Sequence, residues 1–172
     1  MTDDVLMTDE GVDRRVRIVT RWLENVSRTV ERTFDFDAQA KAFRAKADNL
    51  RGMDYSAVHV KSSLSPDAIP NAIIAADEMG ELFEGLSGSA SARLAKAQEA
   101  LDAMENQGGA RALNLYYLAF DANGKRKYDT WEKVCVEMSY TYDGMMKLVR
   151  RAKLELYDHM PHTERPKVES AI

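Results

Sequence analysis

Residues 130–157 read TWEKVCVEMSYTYDGMMKLVRRAKLELY, and the fold turns on how this stretch is built. Trp131, Val134, Cys135 and Met138 fall on one face of a short helix, with Thr130 placed to cap its free amides. Ser139 and Tyr140 then turn the chain, Thr141 caps a second helix, and Met145, Leu148, Val149, Ala152 and Leu156 line its inner face. Two amphipathic helices on so tight a connection make a helix-turn-helix layout. Projection at about 100° per residue puts Asp143, Lys147, Arg150 and Leu154 opposite the apolar stripe, with Met146 and Arg151 at its margins. That outward face is cationic. A helix of this kind enters a major groove, where Lys and Arg bond guanine edges or neutralise phosphates. The loop Lys125, Arg126, Lys127 precedes the pair, at a place suited to a backbone contact.

The same residues resemble, without a gap, region 4 of bacterial sigma factors. Thr130, Glu132, Val134, Met138, Thr141, Met145, Leu148, Arg151 and Ala152 stand where that pattern has its capping threonine, acid, hydrophobic pair, turn and basic recognition helix ending in Arg-Ala. Two departures are Tyr142-Asp143-Gly144, where recognition helices usually begin polar or basic, and Ser139, where the turn often has glycine. The chain as a whole is also similar to small phage and prophage proteins described as sigma-like or late-gene transcription regulators, although over residues 11–107 the likeness is one of helical layout only. The resemblance implies a prophage-derived regulator that binds double-stranded DNA sequence-specifically, without a cofactor. Tyr142, Asp143, Met146, Lys147, Arg150 and Arg151, with Lys125, Arg126 and Lys127, are the expected DNA contacts.

Upstream the pattern is helical throughout. Val12, Val16, Val19, Leu23, Val26 and Val30 step by 4, 3, 4, 3 and 4, which predicts a helix over about 11–33. Asp35 or Asp37 can cap a second, shorter helix striped by Phe36, Ala40, Phe43, Ala47 and Leu50. The segment RGMDYSAVHVKSSLSP at 51–66 reads as a loop, and Asp67 as the cap of a helix in which Pro70 needs no N–H acceptor. From Ile69 an apolar stripe continues to Met104 and predicts one long helix, although GLSGSAS at 85–91 admits a kink or a break into two. Gly108 and Gly109 read as a helix stop of left-handed type. Leu113, Tyr116, Tyr117 and Phe120 then share one helical face, and DANGKRKYD makes a turn-rich loop.

The expectation is therefore an all-α protein: N-terminal heptad-striped helices forming a coiled-coil-like interaction region over 1–107, a helix-turn-helix module over 108–160, and a mobile tail over 161–172. Stripes this long predict a homodimer. Trp131, Met138, Met145 and Leu148 are the expected core of the module.

Composition narrows the class. With 45% hydrophobic and 30% charged residues, four prolines and nine glycines among 172, the chain is neither disordered nor fibrous. No apolar run approaches the roughly 18 residues that span a bilayer, and MTDDVLMTDE is acidic where a signal peptide is basic, so no membrane and a cytoplasmic site are expected. The single cysteine, Cys135, lies between two valines and reads as a small hydrophobe. The net charge of −4 is uneven: residues 1–110 hold 13 Lys+Arg against 19 Asp+Glu, and residues 111–172 hold 11 against 9.

Other chemistries have little to stand on. His159 and His162 lie near Asp158 and Glu164, but Pro161 between them prevents one helical face, so no metal site is expected. DANGK opens like a calcium loop, yet Arg126 occupies the position that requires glycine. Tyr116 and Tyr117 could stack on bases, but at helical spacing with Leu113 they read as core. No phosphate loop or nucleophile elbow occurs, and no enzyme is expected. Two rival readings stand beside DNA binding. In one, the module grips RNA polymerase, a sigma factor or another phage protein, which the acidic net charge, Asp143 and Leu154 favour. In the other, the chain is a phage packaging or structural component.

Overall fold

The computed structural model describes residues 9–52 and 68–165. The chain is all-α. Five α-helices run in the order α1 (Asp9–Gly52), α2 (Ala68–Asp102), α3 (Gln107–Tyr117), α4 (Trp131–Met138) and α5 (Tyr142–His159), followed by a 3₁₀ turn at His162–Glu164. Among the described residues the only strand-like pairing is an isolated antiparallel bridge between Phe120 and Arg126. Of the loop predicted over 51–66, Arg51 and Gly52 belong instead to α1, which no breaker ends before Gly52, and 53–66 lie outside the described residues, as do the Asp67 cap and residues 166–172 of the tail predicted over 161–172, whose first residues form the 3₁₀ turn.

The predicted break at Asp35 or Asp37 does not occur. An aspartate caps a helix only where the chain before it leaves helical geometry, and no glycine or proline lies between Gly11 and Gly52 to make it do so. α1 therefore runs through for 44 residues. Likewise α2 is one helix of 35 residues. Gly85 and Gly88 face open space, with nothing within 4 Å of where a Cβ would stand, and their propensity cost of about 1 kcal/mol each is carried within one continuous helix.

The described residues divide into two compact units, one formed by 9–31 with 92–165 and the other lying within 32–91. The boundary between these units falls within α1 and within α2. In the 32–91 unit, Ala40, Ala47, Ala76 and Ala90 are buried. Phe83 sits 5.8 Å from both Phe36 and Phe43, nearly parallel to the latter at 12°. Arg44 holds Glu84 through two parallel bonds, Nε to Oε1 at 3.2 Å and Nη2 to Oε2 at 3.0 Å. That fork holds the Glu84 carboxyl below its ordinary pKa and the guanidinium above its own.

The other unit has a single core. Val19, Leu23, Val26 and Val30 of α1 pack with Ala97, Leu101 and Met104 at the end of α2, and with Leu113, Val134, Met145, Val149, Ala152, Leu156 and Met160. The stripe that predicted a homodimer is therefore covered, from Val19 to Val30, by the chain's own residues. Of the four predicted core residues, Met145 is fully buried, whereas Trp131, Met138 and Leu148 are half-buried against the cluster. Trp131 stacks on Tyr116 at 4.0 Å and 6° and meets Tyr117 edge-on at 6.2 Å.

Gly108 and Gly109 do not end a helix. They open α3, capped by the Asn106 side chain, whose Oδ1 accepts from the Gly109 N–H at 2.9 Å. Among the described residues the only positive φ values are those of Ser139 and Gly124. Gly109 is required by proximity: a Cβ there would stand 2.5 Å from the Ala152 Cβ, so its lack of a side chain is what lets α3 lie against α5. Phe120, predicted to share the α3 face, lies beyond the helix C-cap Leu118.

Candidate nucleic-acid interface

The pair α4 and α5 is joined by Ser139, Tyr140 and Thr141 alone. Thr130 caps α4, its hydroxyl accepting from the Lys133 N–H at 3.5 Å. Ser139 takes φ 57°, ψ 42°, which lets its N–H and that of Tyr140 return to the Cys135 carbonyl region and close the helix. Thr141 then accepts from the Gly144 N–H at 3.3 Å. A Cβ on Gly144 would lie 3.0 Å from that hydroxyl, so the glycine that departs from the sigma pattern is where the cap needs room.

On this frame the predicted contact residues separate. Lys147 and Arg151 are exposed, and among the described residues neither has an ion-pair partner. Tyr142 is 49% exposed, and Asp143 also faces solvent. Met146 is half-buried on the core. Arg150 reaches α1, its Nη2 bonding Asp13 Oδ1 at 3.0 Å. Arg126 likewise meets Glu31 of α1 at 3.3 Å and lies over the Tyr116 ring at 5.8 Å. Lys127 lies over the Tyr128 ring at 5.5 Å, and Lys125 is exposed. Asp121 organises their loop, its Oδ1 accepting from the N–H groups of Asn123 at 2.8 Å and Lys125 at 3.0 Å. Asp13 and Glu31 are 18 residues apart on one helix, about 27 Å at 1.5 Å per residue. The loop cations and the α5 cations therefore do not form one patch.

Both anchors belong to a polar stripe of α1, Asp13, Thr20, Glu24, Ser27 and Glu31, which sequence reasoning missed. Its central part is met by Lys153, which is 8% exposed. Lys153 Nζ donates to Thr20 Oγ1 at 2.9 Å and to the Tyr117 hydroxyl at 3.2 Å. Burial pushes this ammonium down to about 8, against the opposing pull of Glu24. The Tyr117 hydroxyl is pushed up, first by burial. Ser27 Oγ is buried with no hydrogen-bond partner among the described residues. A signal for Lys153 exists in the sequence: it sits four residues after Val149 and three before Leu156, on the edge of the apolar stripe where a solvated lysine does not belong.

Among the described residues no three His, Cys, Asp or Glu side chains converge to hold a metal ion. No described helix is long and apolar enough to cross a membrane. No family model, curated protein or solved structure matches this chain.

Proposed function

We propose that the chain is a DNA-binding regulator of transcription in which α5 reads duplex DNA. The observation that carries this reading is the exposed side of α5: Lys147 and Arg151 stand free of carboxylates among the described residues, on the second of two helices that are each capped by a threonine and joined by a three-residue turn. The resemblance of residues 130–157 to sigma region 4 supports the same use. Lys147 and Arg151 contact phosphates or guanine edges, Tyr142 and Asp143 set register, and Arg150 contributes only when it leaves Asp13. The test is to select duplexes from a random pool and measure binding across a salt series. If Lys147 touches a phosphate, Lys147→Ala weakens binding to all sequences and reduces the salt slope by about one unit; if it touches a base, the substitution costs about 1–3 kcal/mol at one position. If no duplex is enriched, or if Lys147→Ala and Arg151→Ala bind as the parent does, the reading fails.

One observation favours a second reading. Val136 at 81%, Tyr140 at 44% and Tyr142 at 49% exposure cluster about the α4–α5 turn, and contiguous exposed apolar surface marks protein contacts. In that reading the module grips RNA polymerase or a sigma factor, and co-purification with polymerase that disappears in Val136→Lys distinguishes it.

A further inference from the structure

A different face of α1 carries a built cavity. Arg14, Arg17 and Arg21, at steps of 3 and 4, line one wall of a groove of about 530 Å³, and Arg165, just after the 3₁₀ turn, lines the other. Ile18 and Trp22 contribute apolar surface to the same groove. The groove borders the core, since Trp22 is 7% exposed and packs in the same cluster as Val19–Val30, and it borders the polar stripe at Arg17, whose Nε donates to the Asp13 carbonyl at 3.3 Å.

The lining of this groove carries an excess of positive charge. Four arginines line it against one carboxylate, Glu164. Among the described residues none of the four makes an ion pair, although Arg15, Arg44, Arg51, Arg126 and Arg150 all do. Like charges at i+3 and i+4 on a helix oppose one another by a few tenths of a kcal/mol per pair, which an entering anion reverses. Arg165 is held ready. Its Nε and Nη2 donate to the Met160 carbonyl at 3.2 and 2.9 Å, Nη2 donates also to the Asp158 carbonyl at 2.6 Å, and the guanidinium lies over the Tyr157 ring at 5.6 Å. Arg165 keeps its Nη1 donors for a ligand, Arg17 keeps both Nη groups while its Nε donates to the Asp13 carbonyl at 3.3 Å, and guanidinium donors of this kind match phosphate oxygens.

Size and lining choose among anions. A cavity of roughly 300–1,000 Å³ suits a single small ligand and excludes a folded partner. A mixed lining of guanidinium groups and the apolar surface of Ile18 and Trp22 suits a ligand with a polyanionic end and a flat apolar end. We infer that this groove binds a nucleoside polyphosphate, its phosphates between Arg17, Arg21 and Arg165 and its base against half-buried Ile18 and the narrow exposed edge of Trp22. The inference stands apart from DNA reading by α5.

Calorimetric titration of the full chain with ATP, GTP, pyrophosphate and adenosine in a phosphate-free buffer tests it. ATP or GTP is expected to bind at one site, pyrophosphate at least about tenfold more weakly, and adenosine not measurably. Arg17→Ala/Arg21→Ala and, from the opposite wall, Arg165→Ala should each weaken the nucleotide at least about tenfold. The far-ultraviolet melting curves of both variants should match the parent. Lys147→Ala should bind the nucleotide as the parent does. Four results overturn the inference: no heat from either nucleotide at millimolar concentration, pyrophosphate bound as tightly as ATP, nucleotide binding that survives in both groove variants, or groove variants that lose duplex binding while no nucleotide binds.

Discussion

Replacing Gly109 by alanine tests the close approach of α3 to α5. The added methyl would sit 2.5 Å from the Ala152 Cβ and 2.9 Å from the Asn106 amide nitrogen. Carbon atoms pack at about 3.5–4.0 Å, so α3 and α5 must part by about 1 Å or more. Neither side can yield locally, since the Ala152 methyl is fixed to helical backbone. Overpacking of this kind costs about 1–3 kcal/mol. Displacement of Asn106 also disturbs the α3 cap, worth about 1 kcal/mol. Alanine in place of glycine within a helix returns about 1 kcal/mol. The net is a destabilisation of about 1–3 kcal/mol. Urea unfolding followed by tryptophan emission measures it, because the two tryptophans, Trp22 and Trp131, both belong to the unit that holds this contact. Ala152→Gly in the same chain should restore part of the stability, giving a coupling of about 0.5–3 kcal/mol. A Gly109→Ala protein as stable as the parent, or more stable, would refute the claim that proximity dictates the glycine.

Three further outcomes follow from named contacts. Lys153 binds its proton less tightly folded, at about 8, than unfolded, at 10.5. Its contribution to stability therefore rises between about pH 8 and 10, by up to about 3 kcal/mol, and Lys153→Met should flatten that rise in urea midpoints taken across the range. Above pH 10 the raised Tyr117 group acts in the opposite sense. Leu156, fully buried, should cost about 2–5 kcal/mol as alanine, and half-buried Leu148 about half of that; equal costs would mean that the α5 face is misjudged. The Arg150–Asp13 pair is 54% and 61% exposed, so Asp13→Ala should change stability by less than about 0.5 kcal/mol. In the proposed function it tightens duplex binding by freeing Arg150, and weaker binding to every duplex would count against that role.

Legibility differs sharply along the chain. Thr130, Thr141 and the Asp121 turn are readable because capping and turn residues act within three or four positions, and the structure has each of them in place. The α1 break misleads because a capping aspartate is also an ordinary helix-surface aspartate, and only the absence of a breaker distinguishes the two. Gly108 and Gly109 mislead for a complementary reason. A glycine that permits positive φ and a glycine that permits close packing look alike until the neighbour, Ala152, is known. The candidate site is half legible. Periodicity places Lys147 and Arg151 outside, but the capture of Arg150 by Asp13 joins residues 137 apart, a relation that no local pattern encodes.

That long separation has a kinetic consequence. The apolar stripe Val19–Val30 finds its cover only in residues from Ala97 onward, and the Asp13–Arg150 pair closes across 137 residues. At roughly 5–20 residues per second of synthesis, about 7–27 s pass between the emergence of the first member and the second. For the first part of that interval, about 4–16 s until Ala97 follows Val19 by 78 residues, the nascent α1 segment presents four aliphatic side chains to solvent or a chaperone with nothing of its own to place over them. Closure over so long a chain also raises the mean sequence distance of native pairings, which slows folding relative to a bundle of adjacent hairpins. A fragment begun after α1 would therefore be born with its acceptor surface permanently open.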